Sequence, residues 1–211
     1  MTLRSPVFEE TYKNYLAQVA RIDMKACADP LGIQAEGQNA IIPFFKQPYR
    51  VSPNRVLDPS GQQPTHAVSV VLCQYLLLCQ SIEPQGDEWV SFKDFKDAAP
   101  FVGGFVNNTE RTIFIKFPGR LAALKDACLN LGGLPVDLGL SYDLSIRFEA
   151  LPRISLLLLF NDEDDEFPAQ CALLFQKKAE KYLDMECLAI IGWFLTDSLL
   201  QAAGESQATI M

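Results

Sequence analysis

The segment from Tyr142 to Glu149 constrains the fold of this chain more than any other. Apolar and polar side chains alternate strictly along it, with Tyr142, Leu144, Ile146 and Phe148 as the apolar set. This alternation is the period of a β-strand with one face in water. Residues 153–160 follow almost at once and are apolar on both faces, as expected of a central strand. Residues 169–175 can return beside them, so we predict three antiparallel strands.

Helical periodicity dominates much of the remaining chain. Ser5-Pro6 predicts a helix start, and apolar residues at three-to-four spacing continue the helix until Asp29-Pro30 stops it. Short apolar runs broken by Gly and Pro between residues 33 and 57 predict a small meander of edge strands. The apolar run from His66 to Ile82 is too long for a strand and predicts a buried helix.

The second half of the chain contains further boundary patterns. Ser91 and Asp94 have the spacing of a capping box, which predicts a short strand entering a short helix. Pro118 predicts the start of another helix, which Gly132-Gly133 should end. Residues 108–117 fit neither the helical nor the strand pattern. Asp184 or a neighbouring residue is expected to cap a final apolar helix that extends through Ala203.

We therefore predict an α+β fold, an antiparallel sheet packed with several helices in a single domain, because helices and antiparallel strands are interspersed instead of alternating as βαβ units. The predicted domain covers residues 1–204. It divides into a helix plus small β-meander (5–60), a helical middle (66–133), and antiparallel strands with the final helix (141–203). Residues 205–211 are predicted to be a frayed tail. A separate N-terminal subdomain of helix and meander is the main alternative.

The charge of the chain argues against several classes of partner. With 18 Lys+Arg against 26 Asp+Glu the net charge is −8, and such a field repels nucleic-acid backbones and anionic membrane surfaces. The basic residues Arg111, Lys116, Arg120 and Lys125 could hold one anion, although a solvated helix face explains them better. The apolar runs 67–78 and 188–200 are shorter than the roughly 20 residues of a membrane span. No apolar run of signal-peptide length begins the chain, so we predict a cytoplasmic protein.

Cysteine, histidine and glycine patterns predict no common cofactor site. None of the six cysteines lies in a Cys-x-x-Cys pair, so neither a zinc ribbon nor an iron–sulfur cluster is predicted, and buried reduced thiols are favoured. His66, the single histidine, lies at a predicted helix start, where a helix-terminal role is favoured over that of a base or ligand. The pairs Gly103-Gly104 and Gly132-Gly133 match no nucleotide-binding motif and are favoured as turns and caps.

Three stretches give the chain a family resemblance: Trp89-Val90-Ser91-Phe92, Leu131-Gly132-Gly133, and Asp164 to Ala169 with Leu174-Phe175 downstream. From about Tyr75 to Leu200 the chain resembles a family of bacterial and archaeal proteins classed only as domain of unknown function 3786. In that family the last stretch often reads Leu-Phe-Asp, whereas Gln176 stands here in place of the Asp. Some relatives carry an added cysteine-rich iron–sulfur segment that this chain lacks. The resemblance implies one cytoplasmic fold and supplies no activity.

Two features are candidate functional residues. Trp89 could stack on a flat ligand in a pocket, although a role in the core is favoured. The acidic run Asp162–Glu166 between two predicted strands could hold a hard cation through Asp162, Asp165 and Glu166. It does not fit a calcium-binding EF-hand, because Glu166 stands where glycine is needed and Ala172 where the bidentate acid belongs.

A charged, exposed turn is the favoured interpretation of this run. Five consecutive acids repel one another, so we expect them to splay into water without a bound metal. Glu166 alone is expected to turn inward, because Phe167-Pro168 beside it is predicted to anchor on the core.

The sequence supports two functional hypotheses and leaves open whether the protein is an enzyme. The first is an accessory module that binds a small molecule or a partner protein, since little catalytic apparatus is visible and the chain is long enough to form a pocket. The alternative is a metal-assisted hydrolase that uses the acidic run, with the cation polarising a phosphoryl or carbonyl oxygen. A homo-oligomeric structural protein is a third possibility, and the sequence does not rank oligomeric states.

Overall fold

The computed structural model describes residues 6–80, 84–139 and 141–205, with side chains described from residue 9 onward. The described residues form helices and two antiparallel sheets, which confirms the predicted α+β class. The chain divides into two compact units, each assembled from three separate stretches of sequence. Unit 1 comprises residues 1–86, 150–154 and 178–190, and unit 2 comprises residues 87–149, 155–177 and 191–211. The predicted extent of one domain over residues 1–204 stays a prediction.

Unit 1 begins with two helices where the sequence predicted one. Helix α1 covers Pro6–Val19 and helix α2 covers Met24–Leu31. The helix breaks at Asp23. The Asp23 carboxylate accepts hydrogen bonds from the backbone N–H groups of Lys25 and Ala26 and so caps the start of α2. Pro30 lies inside α2 instead of ending the helix, and α2 ends at Gly32 in the left-handed conformation, with φ 66°.

The predicted meander follows α2. It consists of β1 (Gln34–Glu36), β2 (Asn39–Phe44), β3 (Gln47–Val51) and β4 (Val56–Leu57), paired antiparallel in that order. Successive residues on a strand point to opposite faces. One face is buried, with Ala40, Ile42, Phe44, Tyr49 and Val51 all shielded from solvent. The opposite face is at least partly open to solvent and carries Ile41, Arg50 and Leu57.

Helix α3 (His66–Leu77) completes the first part of unit 1. Thr65 caps it by accepting a hydrogen bond from the backbone N–H of Val68 at 3.3 Å. Most of its residues are buried, with polar Ser69 among them, so the predicted buried helix is confirmed. His66 is the first residue of the helix, as predicted.

The second sheet contains the predicted strands at its centre. Its order is β5-β9-β8-β7-β6, formed by β5 (Trp89–Ser91), β6 (Leu134–Pro135), β7 (Leu144–Leu151), β8 (Ile154–Asn161) and β9 (Gln170–Gln176). The buried residues of β7 alternate as its sequence predicted, and β8 is buried almost throughout. Beside the three central strands the sheet contains β5, the short strand predicted before the capping box at Ser91, and β6, an edge strand of two residues that is too short to show a period.

Short helices of unit 2 connect these strands. A 3₁₀ turn at Phe92–Asp94 follows β5 with the predicted capping box at Ser91. Helices α4 (Val102–Asn108) and α5 (Glu110–Lys116) come next, so most of the stretch that fitted neither pattern is helical. Helix α6 (Leu121–Asn130) ends before Gly132, which has a φ of 78°.

The final helix α7 covers Met185–Ala202. By length and composition alone it could cross a membrane, and 56% of it is buried inside the protein. In unit 2 a Cβ on Gly192 would lie 2.5 Å from Cε2 of Phe105, so α7 needs glycine where it meets α4. Glu205, the first residue of the predicted frayed tail, pairs with Arg120 and donates its N–H to the carbonyl of Leu200. The rest of that tail lies outside the described residues.

Candidate functional site

The acidic run after β8 binds its own backbone and that of a neighbouring turn. Asp162 Oδ1 accepts hydrogen bonds from the N–H groups of Gly119 at 2.8 Å and Glu163 at 2.9 Å. Asp164 Oδ1 accepts from Glu166 at 2.8 Å and Phe167 at 2.7 Å, and these two bonds lower the pKa of the Asp164 carboxyl. The carboxylates of Asp162 and Asp164 therefore serve to shape the loop.

The exposure of the run follows from this geometry. Residues 163–166 are exposed and Asp162 is half-buried. In the part of the chain that the structure describes, no group of three or more His, Cys, Asp or Glu side chains is arranged to hold a metal ion. Metal binding by Asp162, Asp165 and Glu166 stays an untested alternative to the favoured exposed turn.

The expected inward turn at Glu166 is wrong. Glu166 is exposed, Phe167 is 60% exposed and Pro168 is exposed, whereas Ala169 is buried. The reason is the turn at Asp164, which fixes the N–H groups of Glu166 and Phe167 and directs the chain outward before β9 begins. Ala169, not the Phe-Pro pair, anchors the end of the loop.

Trp89 lies on the edge strand β5, half-buried and opposite Gln176 of β9. It lines neither of the two cavities described below. Trp89 stays an untested candidate for ligand binding, beside the favoured role in the core.

The outward face of the meander in unit 1 carries two cavities of about 410 Å³ each. They share Arg50 and Leu57, and together we call them the meander groove. The turn cavity is lined by Gln38, Asn39, Arg50, Ser52, Pro53, Asn54, Arg55 and Leu57. The face cavity is lined by Gln34, Glu36, Ile41, Pro48, Arg50, Leu57, Asp58, Pro59 and Gly61.

Arg50 lies at the centre of the meander groove because of its register in the sheet. On β3 it pairs with Ile41 of β2 on one side and with Leu57 of β4 on the other, so two apolar side chains flank its stem. Its Nη1 donates to Glu36 Oε2 at 2.9 Å, and both side chains are about half exposed. Exposed pairs of this kind are typically worth about 1 kcal/mol or less. A guanidinium has five N–H donors, so the pair with Glu36 leaves most of them for a ligand.

The turn that carries Arg55 is held in place by Ser52. The Ser52 hydroxyl donates to the carbonyl of Arg55 at 2.9 Å and accepts from the N–H of Arg55 at 3.2 Å. The Arg55 side chain is exposed, and no ion pair to its guanidinium is found within residues 6–80, 84–139 and 141–205. The turn cavity has no carboxylate in its lining, so two arginines and three side-chain amides form a site that suits an anion.

Asp58 gives the face cavity a different chemistry. Its Oδ1 accepts hydrogen bonds from the N–H and hydroxyl of Ser60 and from the N–H of Gln62. These bonds lower the pKa of the Asp58 carboxyl, which stays ionised at neutral pH. The groove therefore has a basic end at Arg55, a central Arg50 paired with Glu36, and an acidic end at Asp58.

The sequence did not identify Arg50 or Arg55. Both lie in the stretch predicted as a meander, and the alternation of β2 and β3 places Arg50 on the solvent face. The available indication was an arginine between Pro48 and Pro53 in an outward position of a predicted strand. The groove itself forms where two turns of the meander lie side by side. The alternation of buried and exposed residues along a strand does not predict how those turns pack.

Comparison with known proteins places the chain in a family without giving it an activity. The model of a family described as "Domain of unknown function (DUF3786)" matches residues 23–198. The search of curated proteins and the search of solved structures each found no match. The family match covers most of the chain and includes the meander groove and the acidic run. The chain therefore belongs to the DUF3786 family, as its Trp89, Gly132-Gly133 and Phe167-Pro168 stretches indicated.

Proposed function

We propose that this protein is an accessory binding module that holds a small anionic molecule, a carboxylate or a phosphate ester, in the meander groove. One observation carries the proposal: the turn cavity is lined by Arg50, Arg55 and three side-chain amides, with no carboxylate among its lining residues. A guanidinium matches the geometry of a carboxylate or phosphate and binds either through paired hydrogen bonds.

The size and lining of the groove support a small ligand. Each cavity measures about 410 Å³, within the range of roughly 300–1,000 Å³ found for small-molecule sites. Ile41 and Leu57 supply apolar contact on either side of Arg50, suited to the carbon part of the ligand. Asp58 at the other end suits a hydroxyl or amine donor. A bifunctional metabolite with an acidic and a donor end fits both ends of the groove.

The charge of the whole chain makes this site selective. A net charge of −8 repels anions over most of the surface. Any anion that binds must therefore gain local hydrogen bonds that outweigh the field, and Arg50 and Arg55 supply them. We also propose a cytoplasmic location, supported by six free cysteines.

The metal-assisted hydrolase predicted as the alternative has no comparable support. Its Asp162 carboxylate is taken up by hydrogen bonds to backbone N–H groups. Asp165 and Glu166 are exposed on the same loop. Three carboxylates would have to leave these positions and converge before a cation could be held.

A thermal-shift screen tests the proposal. The probes are inorganic phosphate, small phosphate monoesters and small dicarboxylates, each compared with a neutral analogue of the same size. We expect at least one anionic class to raise the melting temperature and its neutral analogue to leave it unchanged. The shift should disappear in Arg55→Gln and persist in Arg21→Gln, an exposed arginine of the same unit outside the groove. Equal shifts in both variants, or none with any anion, would refute the proposal.

A further inference from the structure

Four residues aligned across the meander line the face cavity of the groove. Gln34 of β1 pairs with Ile41 of β2, Ile41 with Arg50 of β3, and Arg50 with Leu57 of β4. Leu57 is the last residue of β4, and Asp58 follows it directly. Neighbouring strands lie about 4.8 Å apart, so one small molecule in this cavity can contact both Arg50 and Asp58.

Two of the charged side chains that line the groove have no ion-pair partner. Arg50 and Glu36 are joined at 2.9 Å and neutralise each other. Across the described part of the chain, no ion pair is found for Arg55 in the turn cavity or for Asp58 in the face cavity. These two residues lie on either side of the two-residue strand β4. The uncompensated charge of the groove is therefore positive at one end and negative at the other.

The Asp58 carboxylate is held in place by its own turn. Its Oδ1 accepts from the N–H of Ser60 at 2.9 Å, the Ser60 hydroxyl at 2.7 Å and the N–H of Gln62 at 2.9 Å. The turn is closed by the N–H of Asp58, which donates to the carbonyl of Gln62 at 2.8 Å. Among the described residues no donor is bonded to Asp58 Oδ2. That oxygen can therefore bind a ligand without rearrangement of the turn.

The charge of Asp58 decides which donor group of a ligand fits this end of the groove. A hydrogen bond between two ionised groups is roughly twice as strong as one between neutral groups. A hydroxyl would leave the charge of Asp58 uncompensated, and a second anionic group would be repelled by it. An ammonium group supplies both the hydrogen bond and the missing positive charge.

We propose that the ligand of the meander groove is a small amino acid in its zwitterionic form, with its ammonium group on Asp58 and its carboxylate toward Arg50 and Arg55. The inference rests on the proposed function and specifies the ligand of the same site. Ile41 and Leu57 lie against the carbon chain between the two charges. A zwitterion has no net charge, so the net charge of −8 on the chain does not repel it as it repels a simple anion.

Calorimetric titration with matched pairs of ligands tests this inference. The probes are glycine, β-alanine, 4-aminobutyrate and 6-aminohexanoate, which differ in the separation of their charges. Each is compared with its N-acetyl derivative, which keeps the carboxylate and removes the positive charge. We expect at least one amino acid to bind the wild-type protein about tenfold more tightly than its N-acetyl derivative, because the charged hydrogen bond to Asp58 is lost on acetylation.

Asp58→Asn separates the charge of this residue from its structural role. The amide oxygen of the variant can accept the same hydrogen bonds from Ser60 and Gln62, so the turn is kept. The amino acid should bind this variant about tenfold more weakly, whereas its N-acetyl derivative should bind no more weakly than to wild type. The matched control is Glu10→Gln, an exposed acid of α1 in the same unit and outside the groove, which should bind both ligands as wild type does.

The results distinguish failure of this inference from failure of the proposed function. If phosphate or a dicarboxylate binds in a manner that Arg55→Gln abolishes, and no amino acid binds, the amino-acid ligand is refuted while anion binding in the groove stands. If none of these probes binds, both are refuted. Equal affinity of an amino acid and its N-acetyl derivative, or an equal loss of both in Asp58→Asn, would also overturn the assignment of the ammonium group to Asp58.

Discussion

In unit 2 the carboxylate of Glu110 takes the place of a missing strand partner for Leu173. Glu110 Oε1 accepts a hydrogen bond from the N–H of Leu173 at 3.0 Å. In an antiparallel pair, every second N–H of a strand points toward the same neighbouring strand. The N–H of Lys177 donates to the carbonyl of Glu88, so the N–H of Leu173, four residues earlier, also points toward the β5 side. Strand β5 ends at Ser91, opposite Leu174, and the chain turns away before it can meet Leu173. The first residue of α5 completes the edge instead.

Removal of the Glu110 carboxyl should destabilise the fold. In Glu110→Ala the Leu173 N–H loses its acceptor, and a buried donor without a partner costs about 1–3 kcal/mol of unfolding free energy. Glu110→Gln keeps a side-chain oxygen that can accept the same hydrogen bond, so it should cost much less. Urea unfolding of the three proteins measures the difference. Equal losses in both variants would show that the hydrogen bond is not what Glu110 contributes.

The ionisation of Glu110 should appear in the pH dependence of stability. Burial raises the pKa of this carboxyl, and the hydrogen bond from Leu173 and the charge of Lys93 only partly oppose it. A raised carboxyl pKa means that the folded state binds a proton more readily than the unfolded state. The ionised form therefore costs stability as pH rises from the unfolded value of 4.5 through the folded pKa.

Wild type should accordingly gain stability relative to Glu110→Gln as the pH is lowered from neutral toward that value. Urea unfolding of both proteins over this range gives the difference directly. The unfolding free energy of wild type minus that of Glu110→Gln should therefore rise on acidification. If this difference stays constant or falls, the raised pKa of Glu110 is contradicted.

The Tyr75 hydroxyl should contribute to the stability of unit 1. It donates to the carbonyl of Leu31 at 2.7 Å and accepts from the N–H of Arg153 at 3.2 Å. Tyr75→Phe leaves both backbone groups without this partner, which should cost about 1–3 kcal/mol by chemical denaturation. The control is Tyr142→Phe, at a position that is 39% exposed, where a change within about 0.5 kcal/mol is expected. Comparable losses at the two positions would refute the assignment.

The acidic run should not bind divalent cations tightly. Calorimetric titration with Ca²⁺, Mg²⁺ and Mn²⁺ should show no binding in the micromolar range, because Oδ1 of Asp162 and Oδ1 of Asp164 are hydrogen bonded to backbone N–H groups and the remaining acids are exposed to solvent. Micromolar binding that is lost in both Asp162→Asn and Asp165→Asn would contradict this prediction. It would also make the metal-assisted hydrolase the better hypothesis.

Periodicity predicted the elements whose burial is set by their own sequence. The alternation in β7, the apolar run of α3 and the capping box at Ser91 all depend on residues within one turn or strand of each other. The break between α1 and α2 was missed because Asp23 works as a cap only when the chain before it leaves the helix. The edge strand β6 was missed because its two residues are too short to carry a period.

The functional features depend on contacts between distant residues, which no local pattern records. Glu110 and Leu173 are 63 positions apart, yet one hydrogen bond joins them. Arg50 and Arg55 share a cavity with Gln38 and Asn39 only because two separate turns of the meander lie side by side. The acidic run, by contrast, was conspicuous in the sequence, and its exposure followed from charge repulsion. The outward position of Phe167 did not follow, since it is set by the turn at Asp164.

The most direct test of the account is calorimetric titration of one anion into three proteins. The probe is the anion that raises the melting temperature most in the screen, titrated into wild type, Arg55→Gln and Arg21→Gln. A hydrogen bond to a charged group is worth about 1.5–3 kcal/mol, so Arg55→Gln should weaken binding about ten- to hundredfold. Arg21→Gln should bind as wild type does. Equal affinity for wild type and Arg55→Gln would contradict anion binding in the meander groove.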